Sequence, residues 1–204
     1  MQKLEEGQRF KRYQIRHLLG NSATGMSYEA EDTLQQRKVV LKLIHPWGTL
    51  ADAARRQFFR EMHDISSLTH PYLAAILDYG EVDGQLYIVR RYATSGSLLS
   101  GEARHRFNPP LEVTDAVSYA RQLAGALHAL HSNGYLHGAL SFTNVLVSDG
   151  PALDERLNFA PFLLSDASNA HFVHRFGRTQ TVFYPITAAP EQFEQHVTEA
   201  SDQY

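Results

Sequence analysis

The pattern of apolar residues changes near residue 93, and this change constrains the fold more than any other feature of the sequence. Before it, short apolar runs typical of strands alternate with turns, and residues 39–44 form the most continuous run. A single amphipathic helix, predicted to open at Asp52, interrupts these strands. After residue 110 the spacing instead predicts a long helix that continues to residue 132. This order predicts an α+β fold with two lobes, residues 1–92 and residues 93–204.

Turn residues mark further boundaries within each lobe. The run GNSATG at residues 20–25 is expected to break one strand, and Asp83-Gly84 is expected to join two strands in a hairpin. Thr114 has the side chain of a helix N-cap and is predicted to start the long helix. Residues 93–110 are rich in turns and form a predicted linker between the lobes.

Composition excludes several classes of protein. The 204 residues include no cysteine, so disulfide scaffolds, thiolate zinc sites, iron–sulfur clusters and cysteine nucleophiles are excluded. The 19 basic and 22 acidic residues are well mixed, which argues against a nucleic-acid partner. No segment has the length of a signal-peptide core or a membrane span, so we expect a cytoplasmic protein without a membrane partner. The 11 histidines lack metal-ligand spacing, so neither zinc nor haem is expected as a cofactor.

One charge stands inside the apolar run of residues 39–44. A lysine in the middle of a buried strand, here Lys42, must pair with an opposite charge or lose its own. Glu61 lies on the helix that follows and is a candidate partner. From the residues alone, this pair is either an ion pair that joins two elements of structure or part of a binding site.

Six short motifs, found in order along the chain, together resemble the signature of the protein kinase family. They cover almost the whole chain, and none of them is specific by itself. The motifs are GNSATG at residues 20–25, VLK ending at Lys42, REM around Glu61, HGALSFTN at residues 137–144, DAS at residues 166–168 and APE at residues 189–191. The resemblance implies a kinase-like fold, with a β-rich N-lobe that contains one helix and a partial, mainly helical C-lobe.

The resemblance assigns a set of residues to a nucleotide–magnesium site. It implies that the lysine–glutamate pair orients ATP phosphates, and that an asparagine and an aspartate hold Mg²⁺. The implied nucleotide-binding residues are Gly20, Gly25, Lys42, Glu61, Tyr92 and Ala93, and the implied metal ligands are Asn144 and Asp166. Carboxylate and amide oxygens suit a magnesium ion that is bridged by phosphates.

The catalytic loop departs from the family pattern at three positions. Ala139 stands where kinases have the aspartate that accepts the proton of the substrate hydroxyl. Ser141 replaces the lysine that neutralises the transferring phosphate, and Gly138 replaces the arginine beside the aspartate. Because phosphoryl transfer depends on positioning and charge stabilisation, these changes predict a pseudokinase without catalytic residues. We expect a binding, scaffolding or regulatory module in signalling.

Two alternatives to this function remain open. One is a weak or unconventional serine/threonine kinase or nucleotide transferase that uses the retained lysine, glutamate, asparagine and aspartate. The other is a relic of the fold with an unused cleft, in which Asn144 and Asp166 only cap loops. Ser22 favours the relic, because it adds a side chain where the loop backbone approaches phosphate. Arg90 also favours it, because its long cation would fill the back of the cleft or compete with Lys42.

The resemblance also predicts an uncovered surface. Residues 201–204, SDQY, resemble the opening of the large central helix of the kinase C-lobe. In the family, the apolar face of the helix predicted at residues 114–132 is buried by the remainder of that lobe. We therefore expect self-association or a protein partner to cover this face, unless the sequence is a fragment.

Overall fold

The computed structural model describes the chain as two compact units that divide, in sequence, between Tyr92 and Ala93. The first unit contains residues 3–67 and 75–92, and the second contains residues 68–74 and the described residues after Tyr92. Residues 68–74 therefore belong to the second unit, although the sequence placed them in the first lobe. The described residues are 3–22, 24–45, 52–100, 107, 110–147, 162–167, 186–194 and 196–204.

A six-stranded antiparallel sheet forms the framework of the first unit, with the strand order β1-β2-β3-β4-β6-β5. Neighbouring strands follow the chain as far as β4, and β6 then lies between β4 and β5. The strands are β1 (Arg9–Phe10), β2 (Tyr13–Ser22), β3 (Gly25–Asp32), β4 (Arg37–Ile44), β5 (Ile76–Val82) and β6 (Gln85–Arg91). This sheet confirms the prediction of a β-rich first lobe.

The strand break predicted at residues 20–25 is present, but it is shorter than predicted. β2 continues to Ser22 and β3 begins at Gly25, and these two residues are register partners. The register shifts between Leu18 and Gly20, which leaves Leu19 without a partner on β3, as in a β-bulge. Glycine and serine tolerate the extended backbone of a strand, so the antiparallel pairing continues until only two residues remain for the connection.

The hairpin predicted at Asp83-Gly84 is confirmed. Val82 on β5 pairs with Gln85 on β6, which leaves a two-residue turn. Both turn residues have positive φ, 50° for Asp83 and 79° for Gly84. That backbone is typical of the tight turns whose twist matches the twist of the strands they join.

One helix, α1 (Asp52–Ser67), belongs to the first unit and begins at the predicted residue. Its buried face includes the apolar side chains of Phe58, Met62 and Ile65, at spacings of four and three residues. Glu61 is buried on the same helix. The helical periodicity therefore brings an acidic side chain into the interior of this unit.

The second unit combines one long helix with short elements. They are α2 (Val113–His131), β7 (Val145–Val147), β8 (Phe162–Leu164), α3 (Pro190–Phe193) and a 3₁₀ helix (Ala200–Asp202). β7 and β8 form an antiparallel pair, and the N–H of Leu164 donates to the carbonyl of Tyr72 at 2.8 Å. In the core of this unit, the ring of Tyr119 stacks on Phe162 with 4.1 Å between the centroids.

The start of α2 differs from the sequence prediction. The N-cap is Glu112, two residues before Thr114, and its side chain makes no capping hydrogen bond. The N–H groups of Asp115 and Ala116 both donate to the carbonyl of Glu112 instead. Thr114 is therefore wrong as the cap, because the backbone alone satisfies these first donors.

The apolar face predicted for the long helix is divided between the core and the surface. Leu127 and Leu130 are buried in the core of the second unit. Val117, Ala120 and Ala124 are exposed, at spacings of three and four residues that align them along one side of α2. Self-association or a protein partner at this exposed side stays a prediction.

Some predicted features lie outside the described residues. They include Ser168, the last residue of the DAS motif, and most of the predicted linker after residue 100. Within the ranges that the structure describes, none of the helices combines the length and the hydropathy needed to cross a membrane.

Candidate functional site

The hairpin of β2 and β3 carries the two glycines predicted to bind nucleotide. Gly20 pairs with Ser27, and Gly25 lies against β4 at the other side of the connection. A Cβ at Gly25 would stand 2.1 Å from the carbonyl oxygen of Leu43, so no other residue fits there without moving the strands apart. A Cβ at Gly20 would meet no atom within 4 Å. Gly25 therefore sets the close approach of the hairpin to β4, and Gly20 keeps its outer side open.

Ser22 is used inside the hairpin. Its Oγ donates to the carbonyl of Gly25 at 3.1 Å and lies 3.0 Å from Oγ1 of Thr24. The sequence placed this side chain where a phosphate approaches. The structure instead joins the hydroxyl to the hairpin's own backbone, which stabilises the tip.

Lys42 and Glu61 are both almost completely buried in the first unit. Lys42 lies on β4 between Ser27 and Ile88 of the neighbouring strands, and only 1% of its surface is exposed. Glu61 is 3% exposed, and its Oε1 accepts a hydrogen bond of 2.6 Å from Gln57 Nε2. Charges buried this deeply require partners of opposite charge or hydrogen bonds. Their placement agrees with the predicted phosphate-orienting pair, and that role stays a prediction.

A third buried charge belongs to this unit. Arg90 lies on β6 opposite Val40 of β4, and 7% of its surface is exposed. β6 is thus the neighbour of the strand that carries Lys42. The structure confirms that Arg90 is an interior residue. Whether its cation competes for the position that a nucleotide takes in kinases stays an open prediction.

Tyr92 belongs to a polar cluster in the first unit. Its hydroxyl is hydrogen-bonded to Glu29, whose Oε1 also lies 2.9 Å from Lys38 Nζ. Lys38 Nζ is in turn 5.3 Å from the centroid of the Tyr92 ring. Burial by itself would raise the pKa of Glu29, but the hydrogen bonds from Lys38 and Tyr92 outweigh it and hold that pKa below its ordinary value. The cluster fixes the side chain of Tyr92 and keeps Glu29 ionised.

Ala93, the other predicted residue of this pair, is described with the second unit. It is buried, and its carbonyl accepts the N–H of Gly96 at 3.1 Å. Gly96 has a φ of +70°, which completes the turn. Ala93 therefore lies at the start of a tight turn, and its role in nucleotide binding stays a prediction.

A buried carboxylate holds the catalytic-loop backbone of the second unit. Asp202 is 1% exposed, and its two oxygens accept the N–H groups of His137 and Gly138, each at 2.7 Å. Oδ2 also lies 2.9 Å from His131 Nε2. Charge-assisted hydrogen bonds of this length are among the stronger ones in proteins. The sequence of residues 201–204 does not predict this role for Asp202, because contacts across more than 60 residues leave no local signal.

His137 connects the loop to the strand that precedes Asp166. Its Nε2 donates to the carbonyl of Ser165 at 2.8 Å, and its Nδ1 accepts the N–H of Ala139 at 3.2 Å. The ring is completely buried. One nitrogen donates and the other accepts, which assigns the neutral tautomer with its proton on Nε2.

The two predicted metal ligands are joined through the backbone. The carbonyl of Asn144 accepts both the N–H and the hydroxyl of Ser165, at 2.8 and 3.0 Å, and Asp166 follows directly. Asn144 Nδ2 also donates to the carbonyl of Ala139 at 2.8 Å. Asp166 has a φ of +63°, a backbone conformation that is uncommon outside glycine and recurs at functional sites. This hydrogen bonding agrees with the loop-capping alternative, and the carboxylate and the amide oxygen remain suited to Mg²⁺.

The three loop positions that depart from the family pattern are buried or hydrogen-bonded in the structure. Ala139 is buried and offers a methyl group where kinases have a carboxylate. Ser141 Oγ lies 2.7 Å from Thr143 Oγ1. Gly138 has a φ of +74°, and its carbonyl accepts a hydrogen bond of 2.9 Å from Gln192 Nε2. Burial or hydrogen bonding therefore holds the loop at all three positions.

The Ala-Pro-Glu motif surrounds the start of α3. Gln192 Oε1 accepts the N–H of Ala189 at 2.9 Å, which ties the motif to the residue that also reaches the catalytic loop. Ser201 Oγ donates to Glu191 at 2.6 Å. This hydrogen bond, together with one from backbone, lowers the pKa of Glu191. Among the residues that the structure describes, no group of three or more histidine, aspartate or glutamate side chains is arranged to hold a metal ion.

Comparisons with known proteins agree with this arrangement. The serine/threonine-protein kinase PknE of Mycobacterium tuberculosis is 34% identical over 200 residues, which are 98% of this chain and 34% of that protein. The serine/threonine-protein kinase PknD of the same organism is 39% identical over 142 residues, 70% of this chain and 21% of that protein. The chain thus spans about a third or less of the length of these relatives.

Solved structures and a family model extend the comparison. A crystal structure of the PknI kinase domain of Mycobacterium tuberculosis matches with a TM-score of 0.70 and 29% identity, over 99% of this chain and 73% of that one. A second structure of that domain matches with a TM-score of 0.72 and 28% identity, over 100% and 72%. The model of the protein tyrosine and serine/threonine kinases matches residues 13–204. With its kinase-like fold and a family match across nearly its whole length, the chain belongs to the protein tyrosine and serine/threonine kinase family.

Proposed function

We propose that this chain is a nucleotide-binding module of the kinase fold that acts in scaffolding or regulation and does not transfer phosphoryl groups. The observation that carries the proposal is that position 139 holds an alanine. This residue takes the place of the family's proton acceptor in a loop whose backbone is otherwise firmly hydrogen-bonded. An alanine offers no lone pair to a substrate hydroxyl, and no proton moves to it.

A second departure from the family pattern, at Ser141, adds to the effect of the missing aspartate at position 139. In the family, a lysine at that position neutralises charge on the transferring phosphate, and here a short hydroxyl is paired with Thr143. General base catalysis alone contributes roughly 10²–10⁴-fold to a rate. Losing both the base and the cation therefore removes most of the acceleration that this fold supplies.

Nucleotide binding is supported by the groups that the chain retains. Lys42 and Glu61 are buried in the first unit, and Asn144 and Asp166 are joined through Ser165 in the second. We propose that Lys42 binds phosphate oxygens, that Glu61 orients Lys42, and that Gly20, Gly25, Tyr92 and Ala93 contribute backbone to the nucleotide site. Oxygen atoms of Asn144 and Asp166 would hold Mg²⁺, which supplies charge neutralisation for the phosphates.

A second function is supported by the comparisons. Both PknE and PknD are named serine/threonine-protein kinases, and the chain aligns with most of its own length to each. A weak or unconventional transfer of phosphate from ATP, using the retained lysine, glutamate, asparagine and aspartate, is the alternative. Transfer of label from ATP that is lost in Asp166→Ala would favour it.

A thermal-shift titration with ATP, with and without Mg²⁺, tests the proposal. A ligand at 100 times its Kd stabilises the folded state by about 2.7 kcal/mol, which for a chain of this size raises the Tm by roughly 5 °C or more. We expect a magnesium-dependent rise that is lost in Lys42→Ala and Asp166→Ala. Arg37→Ala, at the exposed start of the same strand as Lys42, is the matched control and should keep the shift.

The same titration separates the three functions. A magnesium-dependent shift without label transfer supports the binding module. A shift with label transfer supports the alternative enzyme. No shift in a protein whose circular dichroism shows a folded state contradicts nucleotide binding and favours the relic with Arg90 in the nucleotide position.

A further inference from the structure

A histidine that directly follows β4 contacts the tip of the β2–β3 hairpin, meaning Asn21, Ser22 and Thr24. His45 Nε2 lies 3.0 Å from Asn21 Oδ1 and 3.0 Å from the carbonyl oxygen of Ser22. The N–H of His45 also donates to the carbonyl of Thr24 at 3.1 Å. His45, which directly follows β4, therefore contacts residues on both sides of the connection between β2 and β3.

The chemistry of these contacts fixes the direction of the hydrogen bond. A backbone carbonyl only accepts, so Nε2 must carry the proton that it donates to Ser22. The uncharged ring is then the tautomer with hydrogen on Nε2, whichever way the amide of Asn21 is turned. This assignment is a measurable property of the protein without any ligand.

The contacts of His45 add to those of Ser22. The Ser22 hydroxyl already donates to the carbonyl of Gly25 within the same tip. Residues 20–25 include two glycines, and a segment with glycine is costly to order, because glycine loses more backbone freedom than any other residue. A tip that is held in place before a ligand arrives avoids that cost at the moment of binding.

We infer that His45 is a positioning residue that holds the hairpin tip in one shape and so sets the affinity for the phosphate part of a nucleotide. This inference rests on the proposed nucleotide binding. It assigns selectivity for phosphate groups to the anchored tip, beyond the contribution of Lys42. Ser22, which stands where the family has a loop glycine, contributes to the same anchoring, because its hydroxyl and its carbonyl are both hydrogen-bonded at the tip.

The anchoring itself is tested without nucleotide. Long-range ¹H–¹⁵N spectra assign the tautomer of each histidine, and His45→Gln identifies the resonances of His45. We expect the Nε2–H tautomer for the neutral ring, together with slow amide exchange at Gly25 that becomes faster in His45→Leu. A neutral ring with its proton on Nδ1, or unchanged exchange at Gly25, overturns the anchoring.

Calorimetric titration with ATP–Mg²⁺ and with adenosine tests the consequence for binding. We expect His45→Leu to weaken ATP binding about tenfold and to leave adenosine within twofold, because one hydrogen-bonding anchor contributes about that much. His45→Gln, which keeps an N–H donor at a similar reach, should recover most of the loss. His63→Leu removes an exposed histidine of α1 in the same unit and is the control that should change neither affinity.

Two results would overturn the inference for phosphate. Equal weakening of ATP and adenosine would mean that His45 supports the unit in general, and unchanged ATP binding in His45→Leu would mean that the tip does not set affinity. A wild-type chain that binds neither ligand contradicts the proposed function and the phosphate selectivity together. The tautomer and the exchange at Gly25 still decide the anchoring in that case, so the two failures are distinguishable.

Discussion

The two units differ in which residues of the kinase pattern they keep. In the first, the charged groups of the family are present and buried, Lys42 on β4 and Glu61 on α1. In the second, Ala139 and Ser141 replace the residues that kinases use for phosphate transfer. Asp202 and His137 nevertheless bind the backbone in and beside the loop with short hydrogen bonds. In this chain, Asp202 and His137 make hydrogen bonds with the loop backbone that do not involve the side chains at the three altered positions. Loss of the reactive residue at Ala139 is compatible with an intact framework.

The largest expected effect is the loss of that framework in Asp202→Ala. Removing a buried carboxylate that accepts two backbone N–H groups and contacts His131 should cost about 3–5 kcal/mol of unfolding free energy. Urea denaturation gives the value, and hydrogen exchange at His137 and Gly138 shows that the loss is local. Asp202→Asn keeps one acceptor oxygen and should lose less. A loss below about 1 kcal/mol in the alanine variant would break the comparison between framework and chemistry.

The next effect tests the proposed loss of phosphate transfer. If its framework is intact, Ala139→Asp with Ser141→Lys should raise the rate of phosphate transfer from ATP by roughly 10²-fold or more, because base and cation return together. Transfer of radiolabel to the protein itself or to a serine-containing peptide is the measurement. Ser141→Lys alone restores no base and is the matched control. A folded double variant that binds ATP and shows no gain would mean that the loop is held in a non-catalytic shape.

A smaller effect tests the backbone conformation at Gly138. Its φ of +74° lies in the left-handed region, so Gly138→Ala should lower the unfolding free energy by about 1–2 kcal/mol. Gly20→Ala is the contrast in the first unit, where a Cβ meets no atom within 4 Å and the backbone is that of a strand. That variant should change stability by less than about 0.5 kcal/mol. Equal losses in both would show that the two units do not differ in how they use glycine.

The smallest effect is a pH dependence of the first unit. Because hydrogen bonds from Lys38 and Tyr92 hold the pKa of Glu29 below its ordinary value, the folded state is favoured while Glu29 is ionised. The contribution is fully present above the ordinary glutamate pKa of about 4.3. It is lost as the pH falls through the lowered pKa. Lys38 is exposed, so the size should be about 1 kcal/mol or less. Denaturation of wild type and Glu29→Gln between pH 7 and pH 3 measures it, and parallel curves would contradict the assignment.

The sequence predicted those elements whose signals are local. The apolar run around Lys42, the helix that opens at Asp52 and the turn at Asp83-Gly84 each carry their own pattern within a few residues, and all three are confirmed. The predicted bounds of the strand break at residues 20–25 and the predicted cap at Thr114 differ from the structure for a common reason. Propensity marks where a strand or helix is allowed to end, whereas pairing with the neighbouring strand or backbone capping decides where it does end.

The candidate site was predictable as a set of residues and not as a set of contacts. Motif order identified Lys42, Glu61, Asn144 and Asp166, because the family pattern is written in residue types. The contributions of Asp202 and His45 depend on hydrogen bonds to backbone atoms, which any residue type supplies. The type of the residue whose backbone takes part therefore carries no information about these contacts, and only the coordinates reveal them.

The distance along the chain between Asp202 and the loop it holds has a consequence for synthesis. Gly138 and Asp202 are 64 residues apart. Ribosomes add about 5–20 residues per second, so roughly 3–13 s separate the making of the loop from the making of its acceptor. During that interval the amides of His137 and Gly138 have no carboxylate to bind. The nascent chain can complete the sheet of the first unit while its catalytic loop still waits for the residue that shapes it.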